Sequence, residues 1–247
     1  MTGSAVAVQP HPRRPHPPNY PRDTPPPPSM SVVIHTLIYC PFSKGGPMRH
    51  SADSRYSLSF TTGGLLAREA AVLAPVYGKL RDWAKVRDTA VEENLLQART
   101  HSTGVRRVRE TLNRLSVLSE RELEILADVT ATERGHLMWA AACRRYQLIG
   151  EFAEEVLHER FLTLAGNVSY EDYDTFYRAK AMWHDELDDV TDLSYKKLRQ
   201  VLFKMMVEAG LVSKQGAIEP VLLSARVTEC LTERSPSDIR FFPTRTV

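Results

Sequence analysis

A chain of 247 residues is long for one core and suits two domains, and 43% hydrophobic with 25% charged residues is the composition of a soluble globular protein. The formal net charge is only +2, and residues 1–47 set Arg13, Arg14, Arg22 and Lys44 against Asp23, so the remainder balances at −1 and any attraction to nucleic acid must come from local patches. Cys40, Cys143 and Cys230 share no short spacing, which excludes a disulfide framework and a zinc motif and fits a reducing cytoplasm, and no apolar run reaches the roughly 18 residues of a membrane span.

Residues 1–47 hold 12 of the 16 prolines and almost no periodic apolar pattern. Such a segment cannot bury enough surface to offset its ordering entropy, and a disordered, proline-rich leader with polyproline II character is expected. The alternatives are a proline-rich ligand for a partner domain, or a native start at Met48 with the leader a mis-assigned upstream translation; the abrupt change of composition at Met48 favours the last.

A first helical region is expected over residues 56–130. Tyr56, Leu58 and Phe60 alternate as a short extended entry, after which Thr61 or Thr62 is placed to cap a helix through Leu65, Leu66, Val72, Leu73, Val76 and Leu80. Pro75 is expected to kink or split that helix. Asp82 caps a second, through Val86, Ala90 and Leu95. A third begins near Ser102 or Thr103, with Val105, Val108, Leu112 and Leu115 on one face and Arg99, Arg106, Arg107, Arg109 and Arg114 around it. Helix, polar turn and arginine-rich helix resemble a helix-turn-helix, and arginine suits bidentate contact with phosphate or guanine. The competing reading pairs these arginines with the acidic helix that follows, where Ser119 caps Glu120, Glu122, Glu124 and Asp128.

A second helical region is expected over residues 131–234, with helices over residues 132–147 and 150–164 and an aromatic helix from Tyr170 to Trp183 capped by Ser169. Charge is then sorted along the chain. Asp185, Glu186, Asp188, Asp189 and Asp192 precede a helix that carries Lys196, Lys197, Arg199 and Lys204 and no acid from Leu193 to Val207. Leu198, Leu202, Met205 and Ala209 give it one apolar stripe, and Gly210 supplies a left-handed stop. Leu211 to Ile218, turning at Lys214-Gln215-Gly216-Ala217, is read as a two-stranded wing. A basic helix, a glycine stop and a hairpin outline a winged helix-turn-helix, with the helix in the major groove and the wing, through Lys214, on the backbone. A solvated amphipathic helix that only packs a domain is the alternative. Leu222 to Leu231 closes the region, and residues 235–247 form an irregular tail. The expected fold class is therefore all-α, in two helical subdomains, the second winged.

Enzymatic signatures are sparse. No nucleophile elbow, phosphate-binding glycine loop or His-Glu-x-x-His is present, which disfavours an enzyme. Thr61-Thr62-Gly63-Gly64 at a helix start offers backbone amides to a phosphate, although capping is its simpler role. Glu133 with His136, and Glu155 with His158, have the spacing of a carboxylate-bridged metal site, but nothing in the sequence brings the further glutamates such a site needs. No metal or cofactor is expected.

The phrases SFTTGGLL (59–66), EENLLQARTHSTGVRR (92–107), LTLAGNVSYEDYDTFYRAKAMWHDEL (162–187), KKLRQVLFKMMVEAGLV (196–212) and LLSAR (222–226) together resemble the BrxA family of the bacteriophage exclusion (BREX) defence systems. The resemblance runs from about Tyr56 to the C-terminus. It implies a cytoplasmic, all-helical, two-part protein that binds double-stranded DNA without being an enzyme, beside a methyltransferase, an ATPase, an alkaline-phosphatase-like protein and a Lon-like protease or AAA+ partner. Arg106 and Arg107 in the first half and Lys196, Lys197 and Arg199 in the second match the DNA-binding outline. A protein adaptor within the defence complex and an RNA-binding, antitermination-like protein are the rival expectations.

Overall fold

The computed structural model describes residues 55–245, and the expectations for the proline-rich leader lie outside them. Among the described residues the regular structure is helical: α1 (Ala67–Leu80), α2 (Trp83–Glu92), α3 (His101–Leu115), α4 (Glu120–Leu126), α5 (Ala131–Arg145), α6 (Gln147–Phe152), α7 (Glu159–Leu162), α8 (Tyr170–Ala181), α9 (Asp185–Asp188), α10 (Asp192–Glu208) and α11 (Ala225–Thr232). A π-helical turn, Ala153–His158, joins α6 to α7, and a 3-10 turn, Asp238–Phe241, follows α11. No named strand occurs among these residues.

Helix α5 is the centre of the packing because the middle of its sequence, Leu137–Cys143, carries no charged side chain on any face. Every residue from Gly135 to Cys143 is buried, Trp139 fully, as expected where a helical stretch is apolar on nearly every face. Helices α1, α3, α4, α6, α10 and α11 and the 3-10 turn all pack on it. Helices α4 and α5, on either side of residue 130, pack against each other.

Local signals in the sequence determine most helix starts. Asp82 accepts from Ala84 N and Lys85 N, while Ser119 with Glu122 and Ser169 with Asp172 form complete capping boxes. The third helix starts slightly earlier than expected, with Thr100 as its cap. Gly210, at φ 72°, ends α10 in a Schellman stop: Leu211 N donates to Met206 O at 2.9 Å and Gly210 N to Val207 O at 3.1 Å.

Three expectations need correction. Helix α1 does not begin at a threonine cap; it begins at Ala67 after Leu66, which sits at φ 61° with no side-chain cap. Pro75 does not split α1, because it lies on the exposed face, where solvent can serve the carbonyl that its ring leaves without a donor. The stretch after residue 235 is irregular in outline but belongs to the core: Phe241 and Phe242 are buried, Trp139 Nε1 donates to Phe241 O at 2.9 Å, and His158 Nδ1 donates to Phe242 O at 2.6 Å.

Two buried polar networks tie distant segments together. Arg144 donates to Glu122 Oε1 at 2.6 Å and to Asp238 Oδ2 at 2.5 Å, so one side chain fixes α4 and the 3-10 turn to α5. Burial alone would push the Glu122 carboxyl up, but the Arg144 guanidinium more than offsets it and holds the group below its ordinary value. The second network, around Arg114, shapes the candidate site.

Candidate nucleic-acid interface

The turn that opens the site is built on two left-handed residues, Gly63 (φ 78°) and Leu66 (φ 61°). A leucine in that region is strained, and the turn persists because Arg114 holds it from below. Arg114 is fully buried on α3, donates to Gly64 O at 2.7 Å and Leu65 O at 3.0 Å, and is ion-paired with Glu110 at 3.0 Å. Tyr146 donates to the same Glu110 oxygen at 2.6 Å, and burial with the carboxylate raises its phenol to about 12. Arg114, expected from the sequence to contact nucleic acid, does not: a side chain with no exposure and four hydrogen bonds within the fold reaches no ligand.

Of the other arginines expected in the first half, Arg99, Arg106 and Arg109 are exposed, and no carboxylate among the described residues lies within salt-bridge distance of them. The turn between α2 and α3 is held by Asn94, whose Oδ1 accepts from Ala98 N at 2.8 Å, and Thr100 accepts from Thr103 N at the head of α3. Arg107 is half-buried and stands 3.8 Å from Glu69 on α1. The acidic helix α4 does not neutralise this face. Glu120 pairs with Arg81, and Glu122 with Arg144.

On α10, Lys196 and Lys197 are exposed with no acid among the described residues within salt-bridge distance, and Lys214 is exposed in the segment after the helix. Arg199 behaves differently from the free cation expected of it. It pairs with Asp174 at 2.6 Å and its guanidinium lies 4.4 Å from the Tyr170 ring centroid, so it joins α10 to α8. Lys204 points the other way, toward the turn: its Nζ lies 3.4 Å from Gly63 O and 3.6 Å from Glu208.

These positions converge. A cleft of about 530 Å³ is lined by the Gly63–Ala67 turn, Arg68 and Glu69 of α1, Arg107 of α3, and Lys204 and Glu208 of α10. The two basic helices, far apart in sequence, thus contribute to one opening. Beside it, a second cavity of about 710 Å³ shares Lys204 and Glu208 and is walled by Tyr170, Phe203, Val207 and the 213–216 segment. That segment carries antiparallel bridges Val212 to Ile218 and Asn167 to Ala217, with Gly216 at φ 86° where a Cβ would meet Val168 O at 2.6 Å. Cations from three elements around one cleft can hold an anion with several oxygens. Arg68 and Glu208 were missed from the sequence. Arg68 had a weak signal, one turn into a helix already noted for its amides, whereas Glu208 had none because it ends the acid-free run.

The paired glutamates and histidines do not assemble. Glu133 caps α5 and accepts from Ser224 Oγ at 2.6 Å, which with its Thr130 bonds holds its carboxyl near about 2. His136 is buried with an unpartnered Nδ1 against Phe242, and His158 holds the C-terminal segment. No group of three potential metal ligands occurs among the described residues. No helix among them is long and apolar enough to cross a membrane.

Comparison with known proteins agrees with this architecture. The chain is 24% identical over 148 residues to the BREX protein BrxA of Bacillus cereus, covering 59% of this chain and 74% of that one. To the BREX protein BrxA of Paramagnetospirillum magneticum it is 24% identical over 187 residues, covering 74% of this chain and 94% of that one. A crystal structure of an uncharacterized protein from Magnetospirillum magneticum shares the fold, with a TM-score of 0.65 at 19% identity over 78% of this chain and the whole of the other. The family model for BrxA matches residues 54–235, and the chain belongs to the BrxA family.

Proposed function

We propose that this protein is a non-catalytic, double-stranded DNA-binding accessory factor of a BREX phage-defence system, working in the cytoplasm beside other BREX proteins. The observation that carries the reading is the meeting of Arg107 and Lys204, with Arg68, around one cleft. Exposed Arg106 and Arg109 on α3, with Arg99 in the turn before it, extend the cationic surface there, and Lys196, Lys197 and Lys214 extend it around α10. In this reading α10 and the bridged 211–218 segment act as helix and wing, with Lys214 on the backbone. Contacts of this kind go mainly to phosphates, and lysine gives little base discrimination, so binding is sequence-tolerant and steeply salt-dependent.

Fluorescence anisotropy with a random duplex across a salt series tests the proposal. Replacing Arg107 and Lys204 together with alanine is expected to weaken binding by about tenfold or more while leaving the melting temperature within a few degrees, since neither side chain is fully buried. Wild-type affinity in that variant overturns the reading. Single-stranded RNA that competes better than duplex would favour the RNA-binding alternative.

A second reading, docking of protein partners, is favoured by Met182 and Trp183, which are 77% and 78% exposed immediately before the acidic stretch Asp185–Asp192. Large exposed side chains beside the exposed acids Asp185, Asp188, Asp189 and Asp192 suit a basic, apolar partner. Partners that co-purify after nuclease treatment and are lost on Trp183→Ser would support it.

A further inference from the structure

The cationic cleft already contains an anionic group of its own. Glu208 Oε2 accepts from Leu65 N at 2.5 Å, and its carboxylate lies 3.6 Å from Lys204 Nζ. A Cβ added at Gly64 would stand 2.4 Å from Glu208 Oε2 and 2.8 Å from Oε1, so the carboxylate rests in space that only glycine leaves open. The turn cannot swing away to make other arrangements, because buried Arg114 grips the Gly64 and Leu65 carbonyls from the opposite side. Arg68 and Arg107 complete the cationic lining, and Glu69 faces Arg107 at 3.8 Å.

A carboxylate and a phosphodiester ask the same of their surroundings: N–H donors and positive charge around anionic oxygens. The cleft, at about 530 Å³, is far larger than one carboxylate requires and has room for a phosphate with its sugar. Glu208 is about 40% exposed on the end of α10, so it can rotate outward without disturbing a core. We propose that the cleft is a phosphodiester subsite of the DNA interface, that Glu208 fills it when DNA is absent, and that a backbone phosphate displaces it. The proposal rests on the DNA-binding reading above and adds the residue that restrains binding at that site.

The test compares full-length variants by anisotropy with a labelled duplex across a salt series. Glu208→Gln keeps an acceptor for Leu65 N and removes the competing charge; it is expected to bind about three- to tenfold tighter, with the log–log salt slope steeper by about one as Lys204 becomes available to phosphate. Gly64→Ala fills the shared space and is expected to weaken binding, since the methyl group excludes phosphate as it excludes Glu208. Asp192→Asn removes the same charge from the other end of α10 and is expected to leave affinity unchanged. Unaltered affinity in Glu208→Gln, an equal gain in Asp192→Asn, or wild-type binding in Gly64→Ala would each overturn the proposal. Inorganic phosphate at matched ionic strength is expected to compete no better than chloride; specific displacement of duplex at millimolar phosphate would overturn DNA as the ligand in favour of a free anion. Failure of the Arg107/Lys204 double variant to weaken binding is a separate result that removes the DNA reading itself, whatever Glu208→Gln does.

Discussion

Two arginines seven residues apart on α3 have opposite fates. Arg114 lies fully buried among Glu110, Gly64 O and Leu65 O, while Arg107 stands at the rim of the cleft with Glu69 as its nearest acid. Helix α10 repeats the contrast: Arg199 is bound to Asp174 and Tyr170, whereas Lys204 faces the cleft five residues later. Each basic helix commits one arginine to the fold and leaves another cation for a ligand. Residue type does not separate the two roles. What separates them is whether the side chain's neighbours have removed water from it.

The largest expected effect comes from breaking the buried member of the pair. Arg114→Met leaves Glu110 buried without its cation and two carbonyls without donors, and denaturant titration should show a loss of about 3–5 kcal/mol. If the loss is below about 1 kcal/mol, Arg114 does not support the turn as described. The Arg107/Lys204 double alanine variant inverts the pattern: duplex affinity drops by about tenfold or more, while the unfolding midpoint barely moves.

Arg199→Lys sharpens the contrast on α10. Lysine keeps the charge beside Asp174 but loses the planar contact with Tyr170, and a destabilisation of about 1 kcal/mol with unchanged salt dependence of DNA binding is expected. A fall in duplex affinity of about tenfold would instead assign Arg199 to the interface, since lysine keeps the charge that the salt slope counts and loses only the forked contact. The smallest expected effect is on pH. Burial lowers the folded-state pKa of His136, so the unfolded chain takes up a proton that the folded chain resists. The stability contribution is complete above the ordinary histidine value of about 6.5 and is lost as pH falls through the lowered folded value. His136→Phe should flatten that part of the melting-temperature profile between neutral and mildly acidic pH.

Much of the helical outline was legible because its determinants are local. Asp82, Ser119 and Ser169 bond to amides two or three residues away, and Gly210 needs only its own backbone freedom. The same locality explains the misplaced start of α1. Thr61 and Thr62 carry an ordinary capping signal, but the turn at Gly63–Leu66 is set by Arg114, some 50 residues away. The candidate site was legible in its components and not in its membership. Arg107 and Lys204 were named from charge alone; that they share a cleft, that Arg68 and Glu208 complete it, and that Arg114 sits beneath it depend on how α1, α3 and α10 pack.

The sequence by itself determined the helical class, most helix ends, the basic character of α3 and α10 and the family to which the chain belongs, since periodicity, capping and sequence similarity are all written along the chain. Only the tertiary structure decided which cations stay in water, that the segment from Asp238 to Phe242 closes the core, and that a glutamate at the end of one helix rests on the amides that open another. Those outcomes turn on burial and on contacts between segments from 25 to 143 residues apart, and charge or spacing along the chain carries no record of either.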